Sequence, residues 1–353
     1  MKLAQISLHS YRLPYRNPVR WSDTEESHAS YVLLRVVDEA GAIGYAEATP
    51  KPTWSGYTPA LLVATLQTLF LPLLRDCDVD APAELAERLQ RIPGHAQARG
   101  LVESALWQLR RPPAPERAVR VSCTLTRDAP VAMARKAAEL AERHGLDAFK
   151  LKGGQGVETD LGAVRELRHA VPGARITVDC NSAYEPRDLG AYSAALAGLG
   201  IDLLEDPCAF DLAAFAGLAP QSRVPLLVDL AAADAALAAH FAASGAAAIS
   251  AKPGRYGLPE ALRVADAARR AGKRTCLGLY GESDLGSVLN LSVTDGLDGA
   301  DVAAPAELSF FLDLAQPVLQ RPLAVSGGAV RLPTGRLGDA DIDFSRMQTH
   351  ASV

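Results

Sequence analysis

The pattern of apolar and polar positions changes twice along the chain. Residues 1–50 alternate in QISLHSYRL, SYVLLRVVD and AIGYAEATP, with a turn at Glu39-Ala40-Gly41, and predict antiparallel strands, because successive side chains on a strand face opposite sides. Between the first two runs, Tyr15 to His28 is long and polar, and reads as a mobile or functional connection carrying Trp21. From Pro59 the apolar period becomes helical, in PALLVATLQTLFLPLL, PAELAERLQRI and AQARGLVESALWQLRR. RPPAPER then separates this α+β unit from the rest.

Beyond that linker, strand-like and helical runs alternate. The strand candidates are VRVSCTLT, DAFKLK, RITVDCN, IDLLED, VPLLVDL, AISAK, RTCLGLYG and a short eighth run, GADVAA. Helical patterns lie between them, among them VAMARKAAELAERHG, an Ala-rich stretch through Phe241 and ALRVADAARRAG. Near-continuous apolar strands suit a parallel sheet buried on both faces. Seven βα units and one abbreviated strand predict an α/β fold, a barrel whose strand C-termini converge on one mouth. The tail has one more strand-like run, LAVSGGAVRL, and from Asp339 a polar end expected to be loosely held.

Charged residues recur at the ends of these strands. Asp179, Glu205 and Asp229 are 26 and 24 residues apart (205 − 179; 229 − 205), and Lys152 and Lys252 lie 27 and 23 residues outside them (179 − 152; 252 − 229). One strand, one loop and one helix fit that interval, so all five should share a pocket. Three carboxylates without histidine or thiolate are hard oxygen donors that select Mg²⁺, or Mn²⁺ in its place. Any one of them alone could simply cap a helix. Lys150 and Lys152 point to one side of their strand, where burial beside a second cation should lower a lysine pKa towards the range of a working base. Lys252, four strands later, should stand on the opposite wall. Two bases across a metal-held carboxylate can remove a proton from one face of a carbon and return it to the other.

Glu282 and Asp301, ending the seventh and eighth strand candidates, are further substrate-side or ion-pairing acids, and Asn181 supports a ligand or a lysine. No histidine falls at a barrel strand end, which argues against a histidine-based triad. KLKGGQG and KPGRYG match no phosphate-loop spacing.

Composition narrows the partners. A net charge of −5 gives no reason to expect nucleic acid. No apolar run approaches the roughly 20 residues that cross a bilayer, and the N-terminus does not read as a signal peptide, so a cytoplasmic enzyme is expected. The five cysteines form no CxxC pair, which argues against a disulfide scaffold or zinc knuckle.

At these residues the chain resembles the enolase superfamily, specifically the muconate-lactonizing-enzyme subgroup of the mandelate racemase and muconate cycloisomerase family. The resemblance covers nearly the whole chain. It implies a modified (β/α)7β barrel at 113–308, an α+β capping domain at 1–112 and a C-terminal segment, 309–353, returning to the cap. The family's KxK falls on Lys150-Leu151-Lys152 with Lys152 as base, its metal ligands on Asp179, Glu205 and Asp229, its second lysine on Lys252, and its later acids on Glu282 and Asp301. It further implies a small carboxylic acid substrate, a homo-oligomer, and cycloisomerisation, racemisation or epimerisation, or dehydration; a metal-binding pseudoenzyme on the same scaffold is the alternative from a different class, supported by Leu230.

Two departures stand out. Members commonly carry Asp-Glu on the fifth strand, where this chain has Asp229-Leu230, and the Asp-x-Asp of dipeptide epimerases is absent after Asp301. The specificity loops fall on Tyr15–His28 and Thr49–Tyr57, whose Trp21 and Trp54 suggest an apolar lid over part of the ligand.

Overall fold

A computed structural model describes residues 2–75 and 77–352. Strands β1 (Leu3–Arg20), β2 (Glu25–Asp38) and β3 (Ile43–Ala48) form an antiparallel sheet, and Asp38 accepts the Ala40 and Ala42 amides to close the turn between the last two. The polar stretch Tyr15–His28 is therefore mostly strand. A register shift after Pro14 lets β1 continue to Arg20, and the Trp21 amide bonds to Thr24 O at 2.9 Å to tighten the tip. One face of the sheet, with Ile6, Leu8, Val32 and Leu34, packs on helices at 59–74 and 96–110 in a core of its own.

After β4 (Arg117–Arg120), the chain winds seven parallel strands: β5 (Cys123–Leu125), β6 (Ala148–Lys152), β7 (Arg175–Asp179), β8 (Leu203–Glu205), β9 (Leu226–Val228), β10 (Ala248–Ala251) and β11 (Arg274–Leu277). Almost every residue in them is buried, as apolar strands covered on both faces must be. The ring closes through residues 302–307: Thr275 O accepts the Ala303 amide at 2.8 Å, Leu277 O accepts the Glu307 amide at 2.8 Å, and Ser122 N–H donates to Ala306 O at 2.8 Å. This eighth segment makes isolated parallel bridges, Thr275 to Val302 and Val121 to Ala306. Pro305, which has no amide to give, keeps it from being a regular strand. The fold is an α/β barrel of the (β/α)7β type with an α+β cap.

Local sequence explains the helices between strands. Helix 130–144 starts with proline in its first turn, where no amide is missed, and ends on Gly145 at φ 68°. In the Ala-rich stretch, Asp234 caps helix 235–243 by accepting the Leu237 amide at 2.8 Å. Cap and barrel touch through paired glycines: a Cβ on Gly100 would stand 2.4 Å from the Tyr256 carbonyl carbon, so only glycine admits that crossing.

The tail is not loosely held. Strands β12 (Val325–Ser326) and β13 (Ala329–Leu332) form a three-stranded sheet with β4, and β14 (Gln348–Ser352) pairs with β1. Asp339 takes a bidentate pair from Arg35 at 2.7 Å, which anchors the polar end that composition marked as free.

A buried carboxyl joins cap to barrel. Glu47, on β3, accepts the Ser283 amide at 3.1 Å and the hydroxyls of Ser283 and Tyr11. Burial raises its pKa to about 7 despite those donors. The folded state therefore holds this proton more tightly than the unfolded chain. The associated stability is full below the unfolded value near 4.5 and is lost as pH rises through about 7. Glu47→Gln keeps the shape, and both hydroxyls can turn to accept from its amide. Urea midpoints measured from pH 4.5 to 8 should show a shallower fall in the variant, a difference of about 3 kcal/mol across the window.

Candidate active site

The parallel register brings the strand-end residues together. Lys152 on β6 is level with Asp179 on β7, and Asp179 with Glu205 on β8. Asp229 follows β9 and Lys252 follows β10. Lys150 Nζ lies 2.7 Å from Glu205, 3.1 Å from Asp179 and 3.1 Å from Glu307. Lys152 Nζ donates to Asp179 Oδ2 at 2.6 Å and to Asn181 Oδ1 at 3.0 Å. Lys252 Nζ pairs with Asp229 Oδ2. Lys152 and Lys252 line one cavity of about 260 Å³, with three strands between them in the ring, and so face it from different walls.

The backbone around these groups is constrained. Asn181, Ser182 and Asp206 adopt positive φ of 47°, 61° and 38°, just beyond the strands that deliver Asp179 and Glu205. Non-glycine residues held there cluster at functional sites. Asp206 accepts the Asp229 and Leu230 amides at 3.1 and 2.7 Å. Burial and the neighbouring Asp229 push its pKa up to about 7.

The charges differ from the sequence expectation. Burial disfavours charge on Lys150, yet Asp179, Glu205 and Glu307 outweigh it and hold the pKa well above the usual lysine value. Burial also opposes charge on Lys252, and Asp229 overcomes it, so that pKa is raised rather than lowered. The expectation that a second cation would depress the Lys150 pKa fails because three carboxylates lie within 3.1 Å of its ammonium. Asp179 is held well below the carboxylate range, Lys150 and Lys152 overcoming its burial. Glu205 is pushed up by burial and by Asp179.

One acidic oxygen, Asp229 Oδ1, is buried without a hydrogen-bond partner, while Glu205 Oε2 lies 2.7 Å from Lys150 Nζ. Such an acceptor is costly to leave alone, and an all-oxygen donor set with a spare lone pair fits a hard divalent cation. As placed, the acids pair with ammonium groups instead of converging on a point, and no three His, Cys, Asp or Glu side chains form a metal cage among the described residues.

Trp21 and Trp54 reach the cavity from the cap, in T-shaped contact at 5.0 Å, with Tyr280 at 5.3 Å from Trp54. Lys51 Nζ sits 4.9 Å from both indole rings and pairs with Glu26, joining the two cap loops. Leu230, 46% exposed, lines the opposite side where the resemblance expects an acid.

Two expected acids are not brought in. Asp301 precedes the closing segment instead of ending it: Val302 bridges Thr275 near the start of β11, so Asp301 lies at the far end of the barrel from the mouth. The acid at the mouth is Glu307, and the run there reads Glu307-Leu308-Ser309. Pro305 hid this in the sequence by interrupting the apolar run. Glu282 turns into its own loop, accepting the Tyr280 amide at 2.8 Å and the Asn290 amide group at 3.1 Å. Sequence reasoning also missed Arg255, whose guanidinium holds Asp229 O at 3.2 Å and Leu230 O at 3.1 Å at the cavity rim. Its place three residues after Lys252 was the available signal.

Residues 132–338 match the family model described as enolase C-terminal domain-like. Muconate cycloisomerase 1 of Acinetobacter baylyi is 29% identical across 95% of this chain and 96% of its own length. A muconate lactonizing enzyme from Mycobacterium smegmatis, solved with muconolactone, superposes with a TM-score of 0.88 at 27% identity, covering 97% of each chain. A dipeptide epimerase from Enterococcus faecalis, solved with Mg and the dipeptide L-Leu-L-Tyr, shares the fold with a TM-score of 0.86 at 22% identity over 95% of this chain and 98% of its own.

Proposed function

This chain belongs to the enolase C-terminal domain-like family, and from that premise we propose that it is an isomerase moving a proton on the carbon beside a substrate carboxylate, most like a muconate cycloisomerase. One observation carries the reading: Lys152 and Lys252 face a single cavity from different walls, each paired with a different member of the acidic trio.

The residues divide the work. Lys152 is aimed by Asp179 and Asn181 and serves as the base. Lys252, held charged by Asp229, serves as the acid. Lys150, which also lines the cavity, neutralises Glu205 and Glu307. Mg²⁺ or Mn²⁺ held by Asp179, Glu205 and Asp229 would supply the positive charge that stabilises an enediolate, a contribution larger than a lysine base gives alone. The Trp21–Trp54 lid excludes water from the proton path and covers the apolar part of the acid.

Incubation with a panel of carboxylic acids that includes muconolactone, in D₂O with Mg²⁺, tests the reading. Loss of an α-proton NMR signal supports it, and no exchange with any acid overturns it. Racemisation or epimerisation is the second reading, favoured by the presence of both lysines. Lys252→Ala separates the two: exchange that survives with Lys152 alone indicates cycloisomerase-type chemistry, and exchange lost in both lysine variants indicates two-base inversion.

The ion is tested without turnover. Wild type should gain thermal stability on Mg²⁺ titration, about 2.7 kcal/mol at 100 times the dissociation constant. Asp179→Asn should lose that gain. An equal shift in the variant means Asp179 is no ligand.

A further inference from the structure

Arg127 lies in the loop after β5, at the join between the cap hairpin and the barrel mouth. Its Nη1 donates to Ser22 O at 2.8 Å, its Nε donates to Gly153 O at 3.0 Å, and its own amide donates to Arg20 O at 3.1 Å. Ser22 follows Trp21 in the tip that lines the cavity. Gly153 follows Lys152, and its amide donates to Asp179 O at 2.8 Å. Both backbone groups of Gly153 are thus held, its amide by Asp179 and its carbonyl by Arg127. The fit is close: a Cβ on Gly154 would stand 2.7 Å from Arg127 Nη2.

We propose that Arg127 is a positioning residue that seats the lid hairpin against the strand end carrying Lys152, so that the two segments are ordered together. The proposal rests on the proposed chemistry only in treating Lys152 as the base; the linkage itself is a property of the fold. Both side-chain contacts go to backbone carbonyls, which substitutions in the hairpin cannot remove, so one side chain sets the register of tip and strand end. A planar guanidinium can reach two carbonyls at once, and a lysine ammonium on the same stem cannot span them. Arg127 does not line the lysine cavity. It borders a separate open groove of about 760 Å³ between the hairpin and helix 130–144, through which a small cation can reach its place.

Hydrogen exchange read by mass spectrometry on the full chain tests this without a substrate. In Arg127→Ala, the amides of residues 20–25 and 153–155 should both exchange about tenfold or more faster, as expected for losing a charged hydrogen bond to each. Exchange in β8 to β10 should stay within about twofold of wild type. Arg127→Lys should deprotect at least one of the two segments, and it decides the matter if the alanine variant does not fold. Guanidinium at low millimolar concentration should restore protection in Arg127→Ala and leave wild type unchanged. Unchanged protection in both variants, or faster exchange spread evenly over the barrel strands, overturns the proposal. An Arg127 result of either kind stands whether or not the carboxylic acid panel shows proton exchange, so the two readings fail separately.

Discussion

Lys152→Ala is expected to lower kcat/KM for proton transfer by about 10²- to 10⁴-fold, the range a positioned general base contributes. The loss should appear in kcat, because Lys152 acts on the reacting carbon and not on the remote parts of the acid that set KM. The fold should survive. Asp179 keeps Lys150 at 3.1 Å when Lys152 is truncated, so no buried carboxylate is left without a counter-charge. The Lys152 side chain is itself partly open to the cavity, and water can fill the space. A variant that keeps more than about a tenth of wild-type kcat/KM removes Lys152 from the chemistry.

Lys150→Met should act in the opposite way, on stability first. Lys150 is 2% exposed and touches three carboxylates, Asp179, Glu205 and Glu307. Removing one partner of a buried ionic cluster costs about 3–5 kcal/mol, because the charges left behind have neither water nor a counter-ion. Urea denaturation without divalent salt should show the midpoint lowered with an unchanged slope. The deficit should shrink as pH falls towards 5. Without the ammonium, the folded-state pKa of Glu205, already pushed up by burial and by Asp179, rises further, and a raised acid contributes stability at low pH that is lost as pH climbs. A loss below about 1 kcal/mol at pH 7 would make Lys150 a surface-like partner, against its burial.

The chain shows unevenly how much of such a site sequence can carry. The spacing of Lys152, Asp179, Glu205, Asp229 and Lys252 was legible because one βα unit has a narrow range of lengths, and every strand of a parallel barrel ends at the same mouth. Asp301 was misplaced because the eighth segment bridges its neighbours at isolated points and carries Pro305, so apolar periodicity gave no reliable end to it. Glu307, six residues on, occupies the mouth.

The Lys150 charge was misjudged for a related reason. The sequence shows two lysines side by side on one strand, and only the fold shows acids from β7, β8 and the closing segment within 3.1 Å of one of them. Polarity misled twice more. Tyr15–His28 looked like a loop and is largely strand, and Asp339 looked like a loose end and is bound by Arg35. In both cases the polar residues find partners from segments remote in sequence, which composition does not show.

The most direct test of the central claim follows α-proton exchange into D₂O by NMR, for whichever acid of the panel wild type turns over, in Lys152→Ala beside wild type. The account predicts rapid exchange with the wild-type enzyme and, in the variant, exchange reduced about 10²-fold or more with the fold intact by circular dichroism. Exchange that continues at the wild-type rate in folded Lys152→Ala would contradict it.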